Sequence, residues 1–204
     1  MEFRDGYDDL VANPREVVNL VRQAHEYFKD IKIDESYQML TLDLIRRYVS
    51  KEGIPREPTP FFGAALYIVE RHPWSHPNPM VKSVFATQCL VKESSLEWYI
   101  DAISEKLGFI ILHDRNQLPF FVDPDGTIAS VINSVIKGSV GEEVVRSIVT
   151  GSVVSSYTLA ERIVDRLCNI VKIVPVVFER ELLSLTQRRI EEESSRLLNQ
   201  LRGL

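Results

Sequence analysis

Phe61-Phe62-Gly63-Ala64-Ala65-Leu66-Tyr67-Ile68-Val69, entered through the cap-and-first-turn pair Thr59-Pro60, runs nine residues without a charge. Wound as a helix, it is apolar on every side, and a helix with no polar face must be surrounded by its neighbours. Gly63, Ala64 and Ala65 lack the bulk that would hold other helices away from its axis. The stretch is therefore expected at the centre of a helical domain, with the remaining helices as its casing.

Four segments supply that casing. Asn13 as N-cap, Pro14 at the first helical position and Glu16 open a helix whose Val17, Leu20, Val21, Ala24 and Phe28 form one apolar stripe. A second helix is predicted over 35–52, with Tyr37, Leu40, Thr41, Leu44, Ile45 and Tyr48 inward and Gly53 ending it. Asn78-Pro79 should start a fourth that reaches about Val91, burying Val81, Val84, Phe85 and Leu90. Ser94-Ser95-Leu96-Glu97 reads as a capping box for a fifth, with Leu96, Tyr99, Ile100, Ile103 and Leu107 inward and Gly108 as its stop.

Beyond Gly108, two short apolar runs, 109–112 and 118–122, flank the polar His113-Asp114-Arg115-Asn116-Gln117, the pattern of a β-hairpin. The chain then turns helical in shorter pieces. One spans 128–137 and stops at Gly138, and another spans 142–150 and stops at Gly151. A third starts at the capping box Thr158-Leu159-Ala160-Glu161 and runs to about Val174, and the last covers 176–201. In that last helix Arg188/Glu192, Arg189/Glu193 and Glu192/Arg196 are spaced as four-residue ion pairs. The expected architecture is mainly α: a five-helix domain followed by a small β-hairpin, over 1–122, and a C-terminal helical region over 123–204. The apolar end of the last helix, Leu197, Leu198 and Leu201, reads either as a frayed tail or as a contact for a second copy, the latter making a homodimer or other homo-oligomer an expectation.

Composition narrows the function. Of 204 residues 45% are hydrophobic and 26% charged, an ordinary globular balance. Lys and Arg total 24 against 29 acids, a net charge of −5, so the chain lacks the global basic field that drives sequence-independent attachment to nucleic acid. Cys89 and Cys168 stand far apart among apolar residues, which excludes a disulfide framework or a four-thiolate zinc site within the chain and reads as two buried thiols in a reducing cytoplasm. No stretch approaches the ~18 uninterrupted apolar residues of a spanning helix, so no membrane partner is expected.

Motifs of catalysis are missing. Neither common glycine-rich phosphate loop occurs, nor does His-Glu-x-x-His. Asp123-Pro124-Asp125-Gly126 has its glycine too early for a calcium loop and reads as a turn. His72 and His76 lie across a proline-rich loop without other metal ligands close in sequence, so no metal site is assigned. His113-Asp114 has the elements of a base and its orienting acid, but no activated nucleophile accompanies them. A non-catalytic protein without cofactors is expected.

Gly63-Ala64-Ala65-Leu66-Tyr67-Ile68-Val69 in the middle of five helices, with Ala86-Thr87-Gln88 before the Ser94 box, resembles one cyclin-like box of the transcription factor IIB family, including its archaeal counterparts, over about residues 14–108. The resemblance implies a role in transcription, with partners in the transcription machinery. In that family the fourth and fifth helices form a helix-turn-helix on promoter DNA, which corresponds here to Thr87, Gln88 and the helix starting near Ser95. The fifth helix, however, carries Glu93, Glu97, Asp101 and Glu105 four residues apart and so along one side. A phosphate backbone would repel that stripe. The stripe reads either as a solvated helix face or as a docking surface for a protein partner of basic character, and Trp74, between prolines, either as a lid over the core or as a further contact residue. The first reading is thus a non-catalytic adaptor or regulator in transcription acting through protein contacts. The alternative is a winged-helix DNA-binding regulator, in which Lys82, Lys92, Arg115 and Asn116 join Thr87 and Gln88 on nucleic acid.

Overall fold

In a computed structural model describing residues 13–73, 80–170 and 175–202, the central stretch lies within α3 (Pro58–Glu70), and every residue from Phe61 to Val69 is buried. Around it stand α1 (Pro14–Asp30), α2 (Glu35–Glu52), α4 (Lys82–Gln88) and α5 (Glu93–Leu107). α1, α2 and α5 pack directly on α3, and α4 reaches it through Phe85, whose ring meets Tyr67 edge-on at 5.1 Å. Small residues do what their size allows: the place of a Cβ on Gly63 lies 3.5 Å from Leu96 and 3.7 Å from Cys89 Cβ, so α4 and α5 close on the helix with no room to spare. Phe61 is wedged between Tyr48 of α2 and Tyr99 of α5, with ring centroids at 5.1 and 5.7 Å.

Local chemistry explains the helix ends, including those that differ from expectation. Asn13 caps α1 by accepting the Arg15 amide at 3.0 Å, and Gly53 closes α2 at φ 85°. α4 is shorter than predicted, and Asn78-Pro79 lies outside the described residues. It ends with the paired bonds Leu90 N–H to Thr87 O and Val91 N–H to Ala86 O, a closure that normally places glycine where this chain has Leu90, at φ 55°. That left-handed position turns Leu90 outward, 84% exposed, and the seven-residue helix with its cap residue buries Phe85, Ala86 and Cys89 instead of Val81, Val84 and Leu90. Because Val91 follows this closure directly, α5 begins at Glu93 with Lys92 as its cap residue, and the expected Ser94 capping box does not form. Leu40 of α2 is likewise exposed.

Two compact units divide the chain, Met1–Ile110 and Ile111–Leu204. The hairpin of β1 (Ile110–His113) and β2 (Pro119–Val122) therefore groups, but for Ile110, with the C-terminal helices, whereas the sequence suggested a boundary after 122. Phe120 meets Phe178 edge-on at 5.0 Å, and the His113 amide donates to Glu181 Oε2 at 2.9 Å, which ties the hairpin to that unit.

In the second unit α6 (Thr127–Thr150) is continuous through Gly138 and Gly141, where two helices were expected. Ala129, Ile132, Ile136 and Val140 form one buried stripe, and that tertiary cover overrides the local weakness of glycine. α7 (Ser156–Asp165) is capped by Ser155, whose hydroxyl accepts the Thr158 amide at 3.1 Å, three residues before the predicted cap. A π-helical turn, Arg166–Ile170, continues it. α8 (Glu179–Arg202) packs on α6 and α7 through Leu182, Thr186 and Ile190. Its ion pairs form at three-residue spacing, Arg189 with Glu192 at 3.3 Å and Arg196 with Glu193 at 2.7 Å, in place of the four-residue pairs read from the sequence.

Candidate functional site

The inward phase of α5, Leu96, Tyr99, Ile100, Ile103 and Leu107, is buried as the periodicity requires, which fixes the opposite phase in water. Glu93, Glu97, Asp101 and Glu105 are all exposed on it. Beside them stands Trp98, 62% exposed, one helical turn before Asp101. Its ring meets Tyr99 edge-on at 4.7 Å. Tyr99 in turn packs on Phe61 and accepts the Glu57 amide on its hydroxyl at 3.0 Å, so the tryptophan rests on a side chain locked to the central helix.

Trp98 and Tyr99 line a groove of about 490 Å³ between the first turn of α5 and the end of α2. Tyr48, Ile54 and Pro55 provide its other apolar surface, and Glu52, Arg56, Glu57, Ser94 and Ser95 its polar lining. An exposed indole next to carboxylates attracts a cation in two ways, through its ring face and through the neighbouring charge. The groove therefore suits an extended segment that brings lysine or arginine together with apolar side chains.

The DNA-side residues are arranged differently. Lys82, at the start of α4, puts its ammonium 2.5 Å from Glu97 Oε1, and this hydrogen bond raises the lysine above its ordinary pKa, so the ammonium stays charged. The acidic stripe thus engages the lysine nearest to it. Thr87 donates its hydroxyl to Ser83 O at 3.0 Å within its own helix. Gln88 and Lys92 are exposed. At the hairpin turn Arg115 and Asn116 are exposed, with Asp114 accepting the Asn116 and Leu118 amides at 2.8 and 2.9 Å. The Asp114 carboxylate is committed to that turn; the group beside the His113 imidazole is Glu181, with Nδ1 and Oε1 3.6 Å apart.

Trp74 and His76 lie outside the described residues, as do the side chains of Leu198 and Leu201; Leu197 is half-buried. Asp123 accepts the Asp125 amide at 3.0 Å and forms the expected turn. Among the described residues no three His, Cys, Asp or Glu side chains gather as a metal site, and no helix is long and apolar enough to cross a membrane. Cys89 and Cys168 are both buried free thiols; burial, first of all, pushes the Cys89 thiol up to about 11.

Sequence reading found the acidic stripe and missed the tryptophan within it. The available signal was that Trp98 breaks the inward phase set by Leu96 and Tyr99 and falls between Glu97 and Asp101. Comparison of the chain with protein-family models, with curated proteins and with solved structures yields no match.

Proposed function

We propose that this chain is a non-catalytic adaptor or regulator in transcription, and that its first unit is a cyclin-like docking domain whose α5 surface holds a basic segment of a protein partner. One observation carries the reading: an exposed tryptophan, anchored through Tyr99 to the domain core, stands at a groove beside an exposed row of carboxylates. Aromatic anchors of this kind dominate the energetics of protein interfaces, and a charged rim of one sign selects partners of the other. The likeness of the five-helix block to a transcription factor IIB box is what assigns the pathway.

An arginine-rich peptide titrated against the full chain carrying Trp74→Phe, so that Trp98 alone reports, should quench its fluorescence to saturation. Replacing Asp101 and Glu105 together by lysine should weaken that binding at least about tenfold. A signal that fails to saturate, or is indifferent to the charge reversal, overturns the proposal.

The winged-helix alternative draws support from a hairpin that follows α5 in the chain and exposes Arg115 and Asn116 at its turn. The Lys82–Glu97 pair weighs against it, because the lysine's charge is met within the fold. Micromolar binding to unrelated duplexes, falling steeply as salt rises, would put this reading in place of the first.

A further inference from the structure

Along α6 the side turned away from the buried stripe carries no water-seeking face. Ser134, Gly138, Val145, Ile148 and Val149 are exposed on it, the last three at 61%, 76% and 79%. Among the described residues, and beyond the helix's own adjoining backbone, nothing comes within 4 Å of where a Cβ on Gly138 or Gly141 would sit. A hollow of about 370 Å³ runs over the same side, lined by Val131, Ser134, Val135 and Gly138 among others. Glu142 and Arg166 also line it, and Lys137 is exposed on the opposite edge of the face.

The spacing is that of a seam. Val131, Ser134, Gly138, Gly141, Val145 and Ile148 recur at alternating intervals of three and four, the positions a and d of a two-helix pairing, over about 27 Å of axis. Lys137 then falls immediately before an a position and Glu142 immediately after a d position, five residues apart. When two copies of one helix run parallel, the edge residue of one faces the edge residue five further along in the other, so Lys137 meets Glu142 of the second copy, twice by symmetry. An antiparallel pair would instead bring like edges together, with no lysine–glutamate pairing across the seam.

We propose that this face of α6 is the interface of a homodimer in which two copies of the helix pack in parallel, in register, with the glycines letting the backbones approach. The occupant is a second copy because the face is self-complementary: small and apolar residues against their own copies along the middle, and lysine against glutamate at both edges.

Sedimentation equilibrium of the full chain up to hundred-micromolar concentration should give a dimer mass, and Val145→Glu with Ile148→Glu should reduce it to a monomer of unchanged helical circular dichroism. Lys137→Glu alone and Glu142→Lys alone should each weaken the dimer about tenfold, and the two together should restore it. Ser134→Cys should form an intermolecular disulfide under mild oxidation, since a parallel in-register seam sets each Ser134 opposite its own copy. A monomer at every concentration overturns the proposal. So does a dimer in which the charge reversals fail to compensate and Ser134→Cys does not cross-link.

Discussion

α3 and α6 are both built largely of aliphatic and small residues, and they end in opposite situations. Four helices stand around α3 and bury every side of it from Phe61 to Val69. Within its unit, among the described residues, the helices α7 and α8 pack on α6 and the stripe of Ala129, Ile132, Ile136 and Val140 is covered, while Val145, Ile148 and Val149 stay in water. The difference teaches that an apolar helix announces a need for cover but not its source. Where the chain supplies enough neighbouring helices, the result is a core; where it does not, the result is an adhesive surface.

The largest expected effect tests the enclosed side of this contrast. Phe61→Ala removes a ring held between Tyr48, Phe62 and Tyr99 and should destabilise the first unit by about 3–5 kcal/mol in urea unfolding. Val149→Ala, measured in dilute protein, should move the second unit by less than about 0.5 kcal/mol. Equal losses at the two positions would erase the distinction between core and open face.

Glycine sharpens it further. Gly63→Leu forces a side chain into space where Leu96, Tyr27 and Cys89 already lie 3.5–3.7 Å from the Cβ position, and should cost about 1–3 kcal/mol. Gly138→Ala meets open space, removes a helix-weakening residue, and should stabilise the dilute protein by about 0.5–1 kcal/mol. The same alanine would obstruct the α6 seam, so stability of the unit and affinity of the dimer should move in opposite directions. A Gly138→Ala variant that unfolds more easily would mean that the helix is already covered there.

What could be read from the sequence was whatever depends on neighbours in the chain. Helical periodicity located the enclosed helix and the inward side of α5, and the side-chain chemistry of Asn13 and Gly53 located the ends of α1 and α2. What could not be read depends on residues brought together from afar. Leu90 looks like a core residue until the closure of α4 places it in a left-handed turn, and Gly138 looks like a helix stop until Ile136 and Val140 are held from the other side. At the candidate site the carboxylates were legible, being regular in spacing. The groove was not, because Tyr48, Ile54 and Pro55 belong to a different stretch of chain from Trp98, and the Lys82–Glu97 pair spans fifteen residues.

The smallest effect concerns the polar end of the enclosed helix. Glu70 is the last residue of α3, where burial raises its pKa above the usual carboxylate value and the neighbouring Arg71 only partly offsets this. A negative charge at a helix C-terminus is unfavourable as well. Since the folded state binds the Glu70 proton more tightly than the unfolded state, this group's contribution to stability is fully present below the unfolded pKa. It is lost as pH rises through the raised folded value. Above that value the ionised carboxylate is a burden that Glu70→Gln removes. The variant should therefore melt roughly 2 °C higher than the parent at neutral pH, and the gap should close as the pH is lowered below that of an ordinary glutamate. A gap that stays constant with pH would show that the gain came from packing of the amide, and one of opposite sign would show that Arg71 holds the carboxylate charged.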